Sequence, residues 1–394
     1  MNILFMLRLW PVFGGGETMT RLWANEFAKR GANVHVVYFK HTEYGTHPFI
    51  DNRIKEHFIE GDLCDEFTSN DADDIANVSQ KLCQLINSES IDVVINQWLP
   101  KSFVRNIKRD TDAKVIWCFR TMFAQPFEKP RTFIRWLKYT LFPLHYKNRI
   151  KQNAVRQVED VLPFVDKYIF LSEAYRQQYI SWSKHPQEEK VLAIPNPVSI
   201  EKAICKDEII EKENIVLVVG RMQEYCKQYS SVIKVWHEIE KSSLQESKKW
   251  RLIMVGDGED LLLYKQMAKD LRLQRVSFEG FQNPLPYYKT AKIFLMTSRI
   301  EGFGNVLLEA QQMGVVPIAL DSYPAVRDII SHGYNGILVS QNDIKGMSSA
   351  VLSLMTDDDY LCKLRENCFI AVQKYSMDNI MRRWNALLSD LLEN

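Results

Sequence analysis

Short apolar runs alternate with amphipathic segments from the start of the chain. Residues 2–7 are apolar and predict a buried strand, residues 17–30 have the spacing of a helix that ends before Gly31, and residues 34–39 predict the next strand. This order predicts a βαβ unit with parallel strands. The pattern continues with predicted strands at 91–95, 114–119 and 167–171 and a helix from about Glu173.

A second series of the same kind begins at Asn214. It predicts strands at 215–219, 251–255, 276–278, 293–296 and 315–320, and helices at 231–240, 261–271, 286–291 and 305–313. Alternation of this kind is typical of α/β proteins with doubly wound parallel sheets. The final residues, 376–394, have the apolar spacing of an amphipathic helix.

The pattern is interrupted between the two series. Pro195-Asn196-Pro197 and the charged residues 201–213 form the best candidate linker. We therefore predict two Rossmann-like domains, 1–197 (completed by 375–394) and 198–374. Ligands of such sheets bind beyond the carboxyl ends of the strands, so two halves that face each other would hold the site in the cleft between them.

Composition excludes several classes of function. Among 394 residues, 46% are hydrophobic and 25% charged, and the net charge of +1 gives no reason to expect nucleic acid as a partner. The seven cysteines form no CxxC pair, which favours reduced thiols and argues against zinc. The first residues do not resemble a signal peptide, and no apolar run is long enough to span a membrane. We expect a cytoplasmic protein that needs no metal.

The most informative segment is Glu301-Gly-Phe-Gly-Asn-Val-Leu-Leu-Glu309, which follows a predicted strand and opens a helix near Asn305. Gly302 and Gly304 allow a tight turn, and the helix N-terminus suits a phosphate group. Carboxylates in these positions can accept hydrogen bonds from sugar hydroxyls. The alternative is a surface loop with a capping glutamate.

Two further glycine segments follow predicted strands. Val219-Gly220-Arg221 is followed by Lys227, and the two cations could neutralise a diphosphate, although they could also be solvated. The run Phe13-Gly14-Gly15-Gly16-Glu17 lies between the first strand and the first helix. It allows a close approach to a ligand, but alone it indicates no more than a tight turn.

These segments together resemble glycosyltransferase family 4, a group of retaining enzymes with the GT-B fold, also called glycosyl transferases group 1. The likeness runs from about residue 2 to 340. It rests on the N-terminal glycine loop, on Gly220-Arg221 with Lys227, on the paired glutamates Glu301 and Glu309, and on the stretch Asp328-Ile-Ile-Ser-His-Gly-Tyr-Asn-Gly336. The resemblance implies that the first domain binds the acceptor, that the second binds the donor, and that the C-terminal helix crosses back to the first domain.

The resemblance also implies roles for single residues. Arg221, Lys227 and Glu301 would be catalytic, and Glu309 would contact the ribose of the donor nucleotide. Other donor-binding residues would be Gly15, Gly16, Gly280, Phe281, Gln282, Gly302, Phe303, Gly304, Asn305 and Val306. The implied reaction is transfer of a hexosyl group from a UDP- or GDP-sugar to a bacterial glycan or lipid-linked acceptor. In it, the leaving diphosphate deprotonates the acceptor hydroxyl, with no metal or cofactor.

Two residues depart from the family pattern. Many relatives have a histidine where the strand 114–119 ends, and this chain has Arg120 there. Arg120 could bind an anionic acceptor instead. Gln228 follows Lys227 where a glycine is common, a change that we expect to be tolerated.

Residues 129–158 contain eight lysines or arginines and no acidic residue, interleaved with aromatic side chains. Phe133, Trp136, Leu137 and Leu141 fall at helical spacing. This pattern is typical of a segment that binds an anionic membrane surface, here the inner face of the cell membrane, and it also fits a helix with a buried apolar face.

Two other functions remain open at this point. The first is a sugar-nucleotide epimerase of the same architecture, against which the set Arg221, Lys227, Glu301 and Glu309 argues. The second is a non-catalytic partner subunit that binds a nucleotide sugar or a glycan, with which Arg120 is compatible.

Overall fold

We analysed a computed structural model of the chain. It describes residues 1–10, 15–40, 49–60, 72–97, 99–126, 141, 143–200 and 212–393. These residues form two compact units. The first comprises Met1–Pro195 together with Met381–Asn394, and the second comprises Asn196–Ile380. The candidate linker beyond residue 200, Gly14, and most of the basic stretch before residue 143 lie outside the described residues.

The first unit contains a parallel sheet of seven strands. They are β1 (Asn2–Met6), β2 (Asn33–Tyr38), β3 (Lys55–Phe58), β4 (Val93–Asn96), β5 (Lys114–Phe119), β6 (Lys167–Phe170) and β7 (Val191–Ala193). The strand order is β3-β2-β1-β4-β5-β6-β7. The described helices of this unit are α1 (Gly15–Lys29), α2 (Ala72–Ser88), α3 (Lys101–Asp110), α4 (Pro143–Glu159) and α5 (Glu173–Trp182).

The second unit repeats the same plan with six parallel strands. They are β8 (Glu213–Val219), β9 (Arg251–Val255), β10 (Val276–Gly280), β11 (Ala291–Met296), β12 (Val316–Asp321) and β13 (Ile337–Ser340). The order β10-β9-β8-β11-β12-β13 is the dinucleotide-binding order 3-2-1-4-5-6. The helices are α6 (Glu224–Lys227), α7 (Tyr229–Lys241), α8 (Leu261–Asp270), α9 (Leu285–Thr290), α10 (Asn305–Gln312), α11 (Val326–Ile329), α12 (Ile344–Thr356) and α13 (Asp358–Val372).

Buried strands place both sheets in the interior of their units. The central strands β1 and β4 are almost wholly buried, and β8 is buried from Ile215 to Val218, as expected for parallel strands covered by helices on both faces. In the second unit, Trp236, Trp250 and Tyr264 are among the large side chains of a continuous apolar core. The prediction of two doubly wound α/β domains is therefore confirmed.

The last helix, α14 (Met377–Glu393), is assigned to the first unit from Met381 onwards. Trp384 is fully buried there, with its ring 5.2 Å from that of Trp23 and 6.3 Å from that of Phe27. The amphipathic pattern predicted this helix, and the structure supplies its packing partner, helix α1.

Three strands were not predicted from the sequence. β3 is polar, and it forms at the sheet edge by pairing with β2, where the rings of Phe58 and Tyr38 lie 5.6 Å apart. β7 and β13 have only three and four residues, of which one and two are buried, so neither forms the continuous buried run that marks the predicted strands. Asp357 caps α13 by accepting a hydrogen bond from the Tyr360 amide at 2.8 Å.

Candidate active site

The candidate site of the second unit lies where β8 and β11 end side by side. These two strands are neighbours in the sheet although they are far apart in the chain. Their helices leave toward opposite faces, which opens a crevice at the carboxyl ends of the strands. Gly220 follows β8, and the segment from Thr297 to Glu301 follows β11. Topology thus brings the two strongest sequence motifs together.

Gly220 is fixed by a close approach as well as by its backbone angle. Its φ is +150°, and a Cβ atom there would come within 2.6 Å of the Tyr229 hydroxyl. Gly256, at the end of β9, has no room for a Cβ because it packs directly on the carbonyl of Gly220. A side chain at either position would push the β8 turn away from its neighbour.

Helix α6 is a single turn that carries Lys227. Gln228 ends it in the left-handed conformation, with φ 52° and ψ 44°, and α7 begins at the next residue. Thr297 donates hydrogen bonds to the carbonyls of Lys227 and Gln228, at 2.9 and 3.1 Å, and so ties this turn to the end of β11. The left-handed conformation would account for the glycine that is common at this position in the family that the chain resembles.

The ammonium of Lys227 forms a hydrogen-bonded ion pair with the Glu301 carboxylate. The two side chains are 20% and 14% exposed. Burial lowers the pKa of Lys227, but attraction to Glu301 and Tyr229 raises it by more, so the pKa lies above its usual value. Lys227 is therefore a cation at neutral pH, held beside a carboxylate at the crevice.

The turn from Glu301 to Asn305 opens helix α10. Gly304 is its N-cap, with φ +100°, and a Cβ atom there would come within 2.5 Å of the Tyr323 hydroxyl. No side chain among the described residues caps the helix, and its first turn has no acidic residue. The amides of Asn305 and Val306 at its start thus suit an anion. Gly302 lies in the turn, and Phe303 is buried.

Glu309 lies one turn inside α10 and is engaged through both carboxylate oxygens. Ser199 donates to Oε1 at 2.5 Å, and Tyr288 donates to Oε2 at 2.9 Å. Burial raises the pKa of Glu309, while these two hydrogen bonds lower it by less. Each oxygen keeps a lone pair with which it can accept a further hydrogen bond.

Other predicted donor-site residues are exposed. Arg221 is exposed, and the described residues offer its side chain no hydrogen bond or ion pair. Gly280 ends β10 with φ +71°. The next residue, Phe281, is 75% exposed, and Gln282 is also exposed. These side chains have their atoms available to a ligand at the same edge of the sheet.

The remaining predicted residues belong to the first unit. Gly15 and Gly16 form the first turn of α1, so the helix begins two residues earlier than predicted. Arg120 directly follows β5 and is 8% exposed, with its Nε donating to Gln97 and its guanidinium 4.1 Å from the Trp23 ring centre. Burial lowers the pKa of Arg120 to about 10, which leaves it charged at neutral pH.

Sequence reasoning missed the residues that hold these groups in place. Ser199 and Tyr288 orient Glu309, and Asn196 donates to the Asn305 side chain at 2.9 Å. Glu224 accepts hydrogen bonds from Ser230 and Tyr264 and so holds α6 at its start. None of these residues forms a recognisable motif, although Asn196 was visible as part of the Pro-Asn-Pro segment.

Comparison with known families agrees with this geometry. Residues 199–374 match the family described as glycosyl transferases group 1, and residues 13–202 match glycosyltransferase family 4. The chain belongs to the group 1 glycosyltransferases. Both of its halves are recognised independently, and each match falls mainly within one of the two structural units.

Curated relatives of this glycosyltransferase chain are distant. An uncharacterized glycosyltransferase of Haemophilus influenzae is 26% identical over 226 residues, which is 57% of this chain. A Campylobacter jejuni α-1,4-N-acetyl-D-galactosaminyltransferase, whose substrate is an undecaprenol-linked glycan, is 26% identical over 230 residues, which is 58% of this chain. The matched region spans 61% of the length of each relative.

Solved structures show the same fold over the whole glycosyltransferase chain. Anabaena HepE in complex with UDP superposes with a TM-score of 0.70 at 18% identity, covering 99% of this chain and 100% of HepE. TarM superposes with a TM-score of 0.74 at 16% identity, covering 100% of this chain and 99% of TarM. The expected GT-B fold is therefore confirmed.

Proposed function

We propose that this chain transfers a sugar from a UDP- or GDP-sugar to a hydroxyl of a glycan or lipid-linked acceptor, with retention at the anomeric carbon. The observation that carries the proposal is the Lys227–Glu301 pair beside the start of α10, at the switch point of the second sheet. It places a cation for a phosphate and an acceptor for sugar hydroxyls within one crevice. Lys227 lies on the helix that follows β8 and Glu301 in the turn that follows β11, so their contact depends on the order of the strands in the fold.

The chemistry follows from the charges. Breaking the bond between the anomeric carbon and the diphosphate puts negative charge on the leaving oxygen. Lys227, the exposed Arg221 and the first amides of α10 would stabilise that charge. The new bond would form on the same face, with the acceptor proton passing to the leaving diphosphate. The fixed cations would neutralise the leaving diphosphate, which other transferases do with a bound metal ion. We therefore propose transfer without a metal.

The donor would be held by the rest of the same edge. Glu301 would accept hydrogen bonds from sugar hydroxyls, and Glu309, oriented by Ser199 and Tyr288, would bind the ribose. Residues 280–282 would lie by the base, with the exposed Phe281 ring as an apolar surface. The structure of HepE with UDP-glucose supports UDP as the nucleotide.

The acceptor would be bound by the first unit. Arg120 has a fixed position against Gln97 and Trp23 and stays charged, which suits an acceptor that carries a phosphate or an acidic sugar. The undecaprenol-linked substrate named for the Campylobacter relative supports a lipid-linked acceptor. We therefore propose that Arg120 takes the place of the usual histidine by attracting the acceptor.

A lipid-linked acceptor calls for a membrane contact, which we propose for the basic stretch 129–158. Its described part exposes Leu141 and Leu144, 61% and 73% accessible, beside the exposed Lys147. Apolar side chains next to cations suit an anionic lipid surface. Among the described residues, no helix is long and apolar enough to cross a membrane.

Vesicle binding tests the membrane contact. Leu144→Glu with Lys147→Glu should weaken sedimentation with vesicles of phosphatidylglycerol and phosphatidylcholine. The control Lys265→Glu changes an exposed lysine on α8 and should have no effect. Equal sedimentation of both variants would contradict the membrane contact and leave the transfer proposal standing.

The donor site is tested by thermal shift and by transfer assays. A ligand that binds only the folded state raises the melting temperature, so a panel of UDP-, GDP-, ADP- and TDP-sugars should identify one nucleotide. Lys227→Met should lower kcat by about 10²–10³-fold, because it removes one preorganised charge from the leaving group. Lys265→Met serves as the matched control.

The outcomes separate the parts of the proposal. Full activity of a folded Lys227→Met variant would show that the diphosphate binds elsewhere. An inverted product, measured by NMR at the anomeric proton, would contradict retention but not transfer. Absence of any donor shift and of transfer would refute the proposed activity.

A further inference from the structure

The edge of the second sheet opposite the candidate donor site contains a cationic cavity. Its volume is about 660 Å³, and it lies at the amino ends of β8, β9 and β11 and just before β10. Six of its ten lining residues are basic, and only Glu213 is acidic. The cations are Lys212, Lys248, Lys249, Arg251, Arg275 and Lys292.

Nearby carboxylates neutralise only part of this charge. Glu213 pairs with Arg251 at 2.5 Å and Glu246 pairs with Lys249 at 2.8 Å, both at the surface. Glu240 and Asp358 approach Arg275 and Lys292 only to 3.9 and 4.0 Å. Among the described residues, six basic groups thus face four carboxylates. Burial lowers the pKa of Lys212 to about 7, so the excess at neutral pH lies between one and two positive charges. Exposed ion pairs are also weak, so a bound anion can replace the carboxylate as the partner of the cation.

Structural hydrogen bonds to backbone carbonyls fix two of the basic groups, Lys212 and Arg275. Lys212 donates to the carbonyls of Tyr288, Lys289 and Ala291. Arg275 donates to the carbonyls of Ser247 and Trp250. Carbonyl acceptors satisfy the donors but carry no net charge. The positive potential at the cavity therefore persists on groups that are already ordered, in full on Arg275 and in part on Lys212, because burial lowers the pKa of Lys212 to about 7.

Lys292 and Lys248 complete the cavity in different ways. Lys292 is 21% exposed, donates to the Asn214 side chain at 2.7 Å and lies 5.5 Å from the Trp250 ring centre. Lys248 is exposed, and the described residues give its side chain no hydrogen bond or ion pair. The cavity thus has an ordered cation in Lys292 and an exposed cation in Lys248, both suited to an oxyanion.

We propose that this cavity is a second anion site, one that takes a small, multiply charged phosphate such as inorganic pyrophosphate. Trp250 is buried beneath the cations and offers no open ring face for a nucleotide base. Charge, rather than stacking, therefore defines the ligand. The site is separate from the donor site, because β8 has seven residues and places its two ends about 20 Å apart.

The test uses the full chain with its donor site disabled by Arg221→Ala and Lys227→Met. We expect inorganic pyrophosphate to bind this protein in calorimetry and to bind more weakly as salt is raised. Adding Lys248→Glu should weaken binding by on the order of ten-fold, because it replaces an attraction with a repulsion. Adding Lys265→Glu, the same charge reversal outside the cavity, should leave the affinity unchanged.

A second variant protects the test against misfolding. Lys292→Gln removes a charge from the cavity while keeping a polar group near Asn214, and it should also weaken binding if the melting temperature is unchanged. The proposal is overturned if the donor-disabled protein does not bind pyrophosphate. It is equally overturned if Lys248→Glu and Lys265→Glu bind with the same affinity.

Discussion

The Lys227–Glu301 pair allows a quantitative test of the candidate site that does not require a substrate. Removing either partner with an isostere, Lys227→Met or Glu301→Gln, leaves the other charge in a place that is only 14–20% exposed. Loss of one partner of a fully buried pair costs about 3–5 kcal/mol. For this half-buried pair, we expect each single variant to lose about 1–3 kcal/mol of unfolding free energy.

The coupling energy follows from opposing terms. Two charges about 4 Å apart attract by about 4 kcal/mol at an effective dielectric constant near 20, and desolvation of the ions offsets much of this. A double-mutant cycle should therefore give a coupling of about 1–3 kcal/mol. The double variant should be little less stable than the worse single variant.

Hydrogen exchange provides the assay in the intact chain. Protection of peptides from β8 and β11 reports the free energy of opening the second unit. A matched cycle on Lys249 and Glu246, a pair in the same unit that is 60% and 49% exposed, should give no more than about 0.5 kcal/mol. If the two cycles gave equal couplings, the Lys227–Glu301 pair would be an ordinary surface contact and our reasoning would fail.

Three other changes have defined outcomes. Because the folded pKa of Glu309 is raised, the stability that this group contributes is complete below about pH 4.5 and is lost as pH rises through the folded pKa. Glu309→Gln should flatten this part of a curve of melting temperature against pH, and parallel curves would contradict the shift. Gln228→Gly should change the free energy of unfolding, measured in urea, by between zero and a gain of ~1 kcal/mol. Glycine removes the strain of a left-handed residue from the folded state, but it also raises the conformational entropy of the unfolded chain. A loss of stability above about 1 kcal/mol would show that Gln228 is not strained. Trp384→Ala should cost about 3–5 kcal/mol in exchange from β1, because it empties the contact with Trp23 and Phe27, whereas a loss below 1 kcal/mol would show that α14 packs weakly.

The sequence was sufficient for the repeated strand and helix pattern because parallel strands are continuous apolar runs. It failed for β3, whose residues Lys55–Phe58 are mostly exposed and form a strand only through pairing with β2. Pairing between strands is not visible in a local pattern, so the sequence analysis placed Lys227 and Glu301 in separate motifs and did not predict that their side chains are in contact. Contacts across 74 residues depend on strand order, which periodicity does not contain.

The supporting residues of the site were unpredictable for a related reason. Ser199 reaches Glu309 across 110 residues, and a single serine after a proline segment has no pattern that marks it. By contrast, the left-handed backbone conformation of Gln228 could have been predicted from the family resemblance, because a glycine that is common at one position indicates a positive φ there. The expectation that glutamine is tolerated there stays a prediction, and the measured stability of Gln228→Gly decides it.

Strand order also explains why both charged sites of the second unit can coexist. In a parallel sheet all carboxyl ends lie at one edge and all amino ends at the other. Residues that follow the strands, such as Arg221, therefore gather at one edge, and residues that begin them, such as Arg251 and Lys292, gather at the opposite edge. At the first edge, amides at the start of α10 can help to bind an anion. At the second edge, helices end and their carbonyls disfavour anions, so an anion site there has to be made from lysine and arginine side chains, as the cavity is.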